Sequence, residues 1–269
     1  MNQSDALHYP KKISDLVGNI QSINRICEWL DNFNKNKKIY ISNKSEKKQK
    51  KKRKKKTQDN EVDDDNINTL TEDNDEDENE ELYITNMSSK KKIPNNPQSS
   101  CIMLVGPHGS GKTCIADVIL RNNGYELRKI DFSLIKTKTD IMDTINKLTG
   151  GNIIDMINTR GKKKLKYAIV IDEVESLTSK IETMAVQILL EHNCANWICP
   201  IIFIVSNKHN KFINEIKCKV YKVNIWEPAL IDMNILSQHI MSSENITYQN
   251  DRVLASIVEY SQKDFRRLI

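Results

Sequence analysis

The chain has 269 residues, of which 41 are lysine or arginine and 36 are aspartate or glutamate, so its formal net charge is +5. This length allows one domain with a smaller one appended and excludes a large multidomain machine. No apolar run approaches the roughly 20 residues of a membrane span, and the six cysteines form no C-x-x-C pair. We therefore expect an intracellular protein with reduced thiols and no membrane partner.

Charged residues are segregated along the chain. Between Lys44 and Glu81 lie ten basic residues, none beyond Lys56, and fourteen acidic residues, all but one from Asp59 onward. The remainder of the chain holds 31 basic and 22 acidic residues, a net charge of +9. A basic domain favours a polyanionic partner such as DNA.

Residues 42–98 form a low-complexity insert. A lysine block, Lys47–Lys56, is followed by an acidic, asparagine-rich block, Asp59–Glu81, and a polar linker. Such a segment buries too little apolar surface to offset chain entropy, so we predict disorder. Three interpretations remain open: a solvated surface insertion whose blocks attract each other, a nuclear-targeting signal, or a DNA-tethering patch at residues 51–56.

Strand and helix patterns alternate through most of the chain. Apolar residues from Ile20 to Leu30 have helical spacing and precede the insert. After it, five segments are typical of strands, with helical patterns between them: residues 101–105, 125–130, 166–171, 201–205 and 220–225. This alternation predicts an α/β fold with a parallel five-stranded sheet flanked by helices.

From residue 229 the pattern becomes wholly helical. One apolar stripe consists of Ile231, Ile235, Leu236 and Ile240, and a second of Val253, Leu254, Ile257 and Val258. The predicted organisation is therefore an N-terminal segment at 1–41, the insert at 42–98, an α/β core at 99–228 and a small helical domain at 229–269.

The most informative motif has the form G-x-x-x-x-G-K-[ST]. It comprises Gly106, Pro107, His108, Gly109, Ser110, Gly111, Lys112 and Thr113. It lies between the predicted strand at 101–105 and a helical pattern, so its backbone N–H groups can surround a polyphosphate at a helix N-terminus. The motif predicts that Lys112 reaches the β- and γ-phosphates of a nucleotide and that Thr113 ligates Mg²⁺.

Two later strands end in polar residues. The run at 166–171 is followed by Asp172 and Glu173, and the run at 201–205 by Ser206 and Asn207. Since parallel strands end at one edge of the sheet, we expect these residues beside the phosphate loop. There Asp172 would hold Mg²⁺, and Glu173 would polarise an attacking water.

This ordered set of motifs resembles AAA+ ATPases of the clamp-loader type, and most of all the large subunit of replication factor C. The matching motifs are Val17-Gly18, the phosphate loop, Asp172-Glu173, Ser206-Asn207 and Asp264-Phe265-Arg266-Arg267. Three segments favour the large subunit over the small ones: Glu28–Phe33, Lys136–Ile141 and Asp172-Glu173-Val174, where small subunits have D-E-A-D. The resemblance covers residues 9–41 and 99–269.

The resemblance implies roles for several of these residues. Asn207 would be sensor 1, which orients water and senses the γ-phosphate, and Arg266 would be sensor 2, a lid arginine that reaches the phosphates. Val17 and Gly18 would lie at the adenine pocket. Lys263 stands where the family usually has a glycine before the Asp-x-Arg signature.

Other implications concern partners. Where small subunits carry a Ser-Arg-Cys motif, this chain has Ile216-Lys217-Cys218, and because lysine lacks the planar fork of arginine, we expect no arginine finger from it. The resemblance places Lys136 and Lys138 toward the central DNA channel, and the run at 162–164 is a second candidate for phosphate contact.

The resemblance implies an ATP- and Mg²⁺-dependent subunit of a sliding-clamp loader, with small subunits, a ring clamp and primer–template DNA as partners. It would work in the nucleus or at a cytoplasmic replication site. Two alternatives remain: an ATP-binding structural subunit with negligible hydrolysis, and a replication initiator or helicase loader. The sequence stops inside the predicted last lid helix, before the family's helical collar, so we expect a fragment or a separately supplied remainder.

Overall fold

The computed structural model describes residues 8–58, 97–130, 132, 135–149, 166–207, 210–247 and 251–269. Its five strands are β1 (Cys101–Val105), β2 (Tyr125–Lys129), β3 (Lys166–Ile171), β4 (Ile201–Val205) and β5 (Tyr221–Asn224). They form one sheet in the order β2-β3-β4-β1-β5, and every pair is parallel. The predicted parallel five-stranded sheet is confirmed.

Helices connect and cover the strands. They are α1 (Ile20–Gln58), α2 (Lys112–Asn122), α3 (Lys138–Thr149), α4 (Lys180–Asn196), α5 (Lys211–Lys217), α6 (Leu230–Ser243), α7 (Asp251–Tyr260) and α8 (Phe265–Leu268). Short 3₁₀ turns occupy Ile13–Asp15 and Val174–Ser176. Within the described ranges, no helix is both long and apolar enough to cross a membrane.

The sheet is the middle of three layers. Because successive strand residues point to opposite faces, Ile102 and Leu104 of β1 pack with residues of α1 and α2. Cys101 and Met103 pack on the other face, in the cluster formed with α3, α4 and α5. Strands β1 and β4 are buried along their whole length, as expected for central strands covered by helices on both faces.

Strand register brings three carboxyl ends to one edge of the sheet. Val105 of β1 pairs with Val205 of β4, and Ile171 of β3 pairs with Phe203 of β4. The residues that follow β1, β3 and β4 therefore emerge side by side, as the sequence predicts.

The first half of α1 is anchored in the core. Ile23, Ile26, Trp29, Leu30 and Phe33 are buried at helical spacing. The indole N–H of Trp29 donates to the carbonyl of Ser99 at 2.7 Å, which ties the helix to the residues just before β1.

The second half of α1 extends into the predicted insert. We expect disorder across residues 42–98; the described helix continues to Gln58, and residues 59–96 lie outside the described residues. The sequence has no glycine or proline between Gly18 and Pro94, and lysine and glutamine are good helix formers. Extending an existing helix fixes one residue for each hydrogen bond gained and needs no new nucleus. The acidic block lies outside the described residues.

The helical domain buries each of the two predicted stripes only in part. In α7, Leu254 and Val258 are buried as expected. In α6 the buried residues are Met233 and Ser237, whereas Ile231 is 71% exposed. Ile235 is also exposed, whereas Leu236 and Ile240 are half-buried, so part of the predicted α6 stripe packs inward and part faces solvent.

Candidate nucleotide-binding site

The phosphate loop joins β1 to the N-terminus of α2. Gly109 and Gly111 have φ values of +74° and +83°, which L-residues with side chains rarely adopt. A Cβ on Gly106 would overlap the carbonyl oxygen of Ile225. The Gly106 N–H also donates a hydrogen bond to the carbonyl oxygen of Val205 at 3.2 Å. Glycine is therefore required at 109 and 111 by the backbone conformation, and at 106 by the close approach of Ile225.

The ammonium group of Lys112 is held inside this loop. The side chain is buried and donates to the carbonyls of Gly106, at 2.9 Å, and Pro107. Burial lowers the pKa of Lys112, the carboxylates of Asp172 and Glu175 oppose that shift, and the charge of Arg266 adds to it. Asp172, Glu175 and Arg266 of the helical domain thus lie near enough to Lys112 to shift its pKa.

Thr113 and Asp172 are brought together from different elements. Thr113 stands at the start of α2, and Asp172 directly follows β3. The Thr113 hydroxyl donates a hydrogen bond to Oδ2 of Asp172 at 2.7 Å. Oδ1 of the same carboxylate accepts the backbone N–H of Glu173 at 2.9 Å. A hydroxyl and a carboxylate are oxygen ligands of the kind Mg²⁺ takes beside substrate phosphates, so the residues present fit a magnesium–nucleotide complex.

Glu173 occupies an unusual backbone conformation. Its φ is +53°, in the left-handed region where residues other than glycine are uncommon, and strain of this kind clusters at functional sites. The chain turns there from β3 into the 3₁₀ turn at Val174–Ser176. The Glu173 side chain is exposed at the edge of the sheet, one residue from Asp172.

Glu175 is a site residue that the sequence analysis missed. Its Oε1 accepts the backbone N–H of Ser206, at the end of β4, at 3.1 Å. Burial opposes ionisation, yet the side chain and backbone N–H of Ser206 and the charge of His108 lower the pKa of Glu175 below its usual value. A sequence signal existed, because Glu175 stands at the last position of the D-E-A-D pattern of small clamp-loader subunits.

Asn207 follows Ser206 directly and is exposed at the same edge as the phosphate loop. The carboxylate of Glu175 thus fixes the backbone one residue before it. Its role as sensor 1 remains a prediction.

The helical domain touches the phosphate loop. The Phe265 N–H donates to the carbonyl of Gly109 at 3.1 Å. Asp264 caps α8 by accepting the N–H of Arg266 at 2.8 Å. Arg266 is exposed but near enough to lower the pKa of Lys112. The predicted sensor 2 residue therefore lies beside the loop, and its catalytic role stays a prediction.

The predicted adenine side is built by the N-terminal segment and α6. Gly18 is buried with a φ of +74°, and a Cβ there would stand 2.8 Å from Oδ2 of Asp232. The neighbouring Val17 is half-buried. The Asn19 amide donates to the Trp226 carbonyl at 3.0 Å and accepts its N–H at 2.8 Å. These contacts join the residues before α1 to the start of the helical domain.

The predicted DNA-contact lysines are described only in part. Lys136 is exposed, and its backbone N–H donates to Asp140 at 3.0 Å in front of α3. Lys138 begins α3, but its side chain lies outside the described residues, as does the whole run at 162–164.

Comparisons with known proteins agree with this geometry. Residues 102–217 match the model of the ATPase family associated with various cellular activities (AAA). A protein of Acanthamoeba polyphaga mimivirus described as a replication factor C large subunit is 25% identical over 214 residues, covering 65% of this chain and 40% of that one. The replication factor C large subunit of Sulfurisphaera tokodaii is 27% identical over 180 residues, covering 66% and 38%.

Among solved structures, the RuvB Holliday junction branch migration motor of Thermotoga maritima aligns with 97% of this chain and 63% of its own, at 11% identity and a TM-score of 0.48. The chain spans about two fifths of the length of the curated relatives it matches. Over residues 102–217 the chain is similar to the AAA ATPase family, and it resembles replication factor C large subunits, as its motifs predicted.

Proposed function

We propose that this chain is an ATP-binding and ATP-hydrolysing subunit of a DNA sliding-clamp loader. It would help to open a ring clamp and load it onto primer–template DNA, in the manner of a replication factor C large subunit. The observation that carries the proposal is the 2.7 Å contact between Thr113 and Asp172 beside the buried Lys112. Relatives named replication factor C large subunit direct it toward clamp loading.

Nucleotide binding would rest on the loop and the Thr113–Asp172 pair. Lys112 and the N–H groups at the start of α2 would hold the phosphates, while Thr113 and Asp172 would hold Mg²⁺, which neutralises phosphate charge when bound. The N-terminal segment around Val17 and Gly18 would border the adenine.

Hydrolysis would use three residues at the edge of the sheet and on the lid. Glu173 would act as the general base that takes a proton from water, Asn207 would orient that water, and Arg266 would stabilise charge on the phosphates. Because Lys217 stands where small subunits have an arginine, this chain would supply no arginine finger to a neighbour. As in a large subunit, its own ATP site would receive an arginine finger from a neighbouring small subunit.

Partners and location follow from the same proposal. Small clamp-loader subunits and a ring clamp would assemble with the chain, and Lys136 and Lys138 would follow DNA phosphates without reading bases. The protein would act in the nucleus or at a cytoplasmic replication site.

Two variants test the assigned roles. Lys112→Ala should abolish nucleotide binding, since it removes the ammonium group buried in the loop. Glu173→Gln should bind ATP normally and lose turnover, because only the base is removed. Binding is measured with a fluorescent ATP analogue, and turnover in the presence of small subunits, since an arginine finger is worth roughly 10³–10⁵ in kcat.

The alternatives make different predictions. A structural subunit would contribute no turnover of its own, so Glu173→Gln would leave the ATP turnover of the assembled complex unchanged. A helicase loader would copurify with a helicase in place of small subunits and a ring clamp. Equal loss of nucleotide binding in both variants would contradict the assigned roles.

A further inference from the structure

The second half of α1 is a strongly basic helix. Residues 41–58, here called the basic arm, are helical throughout and contain ten lysines or arginines and one acidic residue. At 1.5 Å per residue the arm is about 27 Å long. Nothing in the proposed ATPase mechanism uses it.

The arm is a continuous extension of an anchored helix. Phe33 is buried and its ring lies 5.5 Å from that of Trp197. One turn later, Lys37 donates to the carbonyl of Ile198. Tyr40 donates to Oδ1 of Asn196 at 3.1 Å. Residues 41–45 are all exposed, so the helix leaves the domain just after Tyr40, and its direction is set by these contacts.

The composition of the arm favours a polyanionic environment. Residues 50–56 are seven consecutive lysines or arginines, nearly two turns, so basic residues occupy every face of the helix. Like charges also recur four residues apart, as in Lys47 and Lys51, a spacing that destabilises an isolated helix. No face of the arm is apolar enough to pack on a protein core, whereas bound phosphates would remove the repulsion.

We propose that the basic arm binds the phosphate backbone of duplex DNA. Its net charge of +9 over about 27 Å gives one positive charge per roughly 3 Å, against one negative charge per roughly 1.7 Å of duplex. Lysine runs provide charge without the side-chain pattern that reads bases, so binding would be independent of sequence. This adds a DNA contact to the proposed function and does not depend on the nucleotide site.

Neutralising the arm tests this inference. Lys50, Lys51, Lys52, Lys54, Lys55 and Lys56 are replaced together by alanine, which is a better helix former, so that loss of binding cannot be assigned to loss of helix. With about half of these residues facing the DNA, the variant should lose roughly three phosphate contacts. The slope of log K against log salt should then flatten by about three units, and affinity for a 30-base-pair duplex at 0.1 M salt should fall roughly 10²–10³-fold.

Controls separate the arm from other causes. The same six positions changed to arginine keep the charge and should keep the salt slope. Lys136→Ala with Lys138→Ala should flatten the slope by one to two units only, since at most two contacts are lost. All titrations omit ATP, so failure of the proposed ATPase function leaves the measurement intact.

Two results would overturn the inference. One is an unchanged salt slope in the alanine variant of the full chain. The other is that the alanine substitutions lower DNA affinity only in a chain from which residues 59–81 have been deleted, and not in the full chain. That result would mean that the acidic block of the chain, and not DNA, occupies the arm.

Discussion

Replacing Gly109 by alanine tests how closely the helical domain is seated on the phosphate loop. Gly109 has a φ of +74°, and a Cβ there would stand 2.5 Å from Oδ2 of Asp264 and closer still to its Cγ and Oδ1. Gly124 provides a matched control, because its φ is also +74° and no atom lies within 4 Å of its ideal Cβ. The two substitutions share the backbone strain and differ in the overlap.

The expected magnitudes follow from these geometries. Left-handed backbone costs an alanine roughly 1–2 kcal/mol, and both variants should pay that cost. In Gly109→Ala the carboxyl of Asp264 must also move, which endangers its capping bond to Arg266 at 2.8 Å, and a lost cap costs about 0.5–2 kcal/mol. The total cost of Gly109→Ala should therefore exceed that of Gly124→Ala by about 1 kcal/mol. This excess should appear as weaker docking of the helical domain on the phosphate loop.

Amide hydrogen exchange gives a local readout of this docking. The Phe265 N–H donates to the carbonyl of Gly109 at 3.1 Å, so its exchange rate reports separation of the two. In Gly109→Ala the exchange rate of the Phe265 amide should rise about tenfold for each 1.4 kcal/mol of docking free energy that is lost. In Gly124→Ala this exchange rate should stay unchanged. Adding Asp264→Ala should reduce the penalty of the Gly109 substitution. Unchanged protection of the Phe265 amide in Gly109→Ala would refute the reasoning.

Two further substitutions address the nucleotide-binding edge of the sheet and its opposite, amino-terminal edge. The pKa of Glu175 is lowered in the folded chain, so its carboxylate contributes stability above its ordinary value of 4.5 and loses it as pH falls through the lower folded value. The difference in unfolding free energy between wild type and Glu175→Gln, from urea titrations at neutral and acidic pH, should shrink as pH falls; a constant difference would contradict this. Asn193 is buried and bonds the N–H groups of Ile198 and Cys199 at 3.1 and 3.2 Å and the carbonyl of Ser100 at 3.3 Å. Asn193→Ala should cost about 3 kcal/mol or more by urea unfolding, at roughly 1–3 kcal/mol per unpaired buried group, whereas the exposed Asn123→Ala should cost under about 1 kcal/mol; equal costs would count against a structural role for Asn193.

Local patterns in the sequence were sufficient for the sheet and for the centre of the site. The strands at 101–105, 166–171 and 201–205 have the predicted bounds, because a short apolar run bounded by turn residues is typical of a buried parallel strand. The phosphate loop is equally local, since its glycines are required by backbone conformation within eight residues. Parallel strands also end at one edge, so the meeting of Thr113 and Asp172 followed from strand order.

Contacts between distant segments were decided only by the tertiary structure. Two hydrogen bonds show this: the Ser206 N–H donates to the Glu175 carboxylate, and the Phe265 N–H donates to the Gly109 carbonyl. Both depend on which loops lie opposite each other, and local sequence periodicity does not contain that information. The same limit explains α6, in which Ile231 and Ile235 of the predicted stripe are exposed while Met233 is buried. It also explains the basic arm, where composition alone indicated disorder but continuity with a helix anchored by Trp29 and Phe33 extends the helical backbone. Sequence determines which residues prefer burial or a given backbone conformation, whereas the partner surface that satisfies each preference exists only once distant elements have packed together.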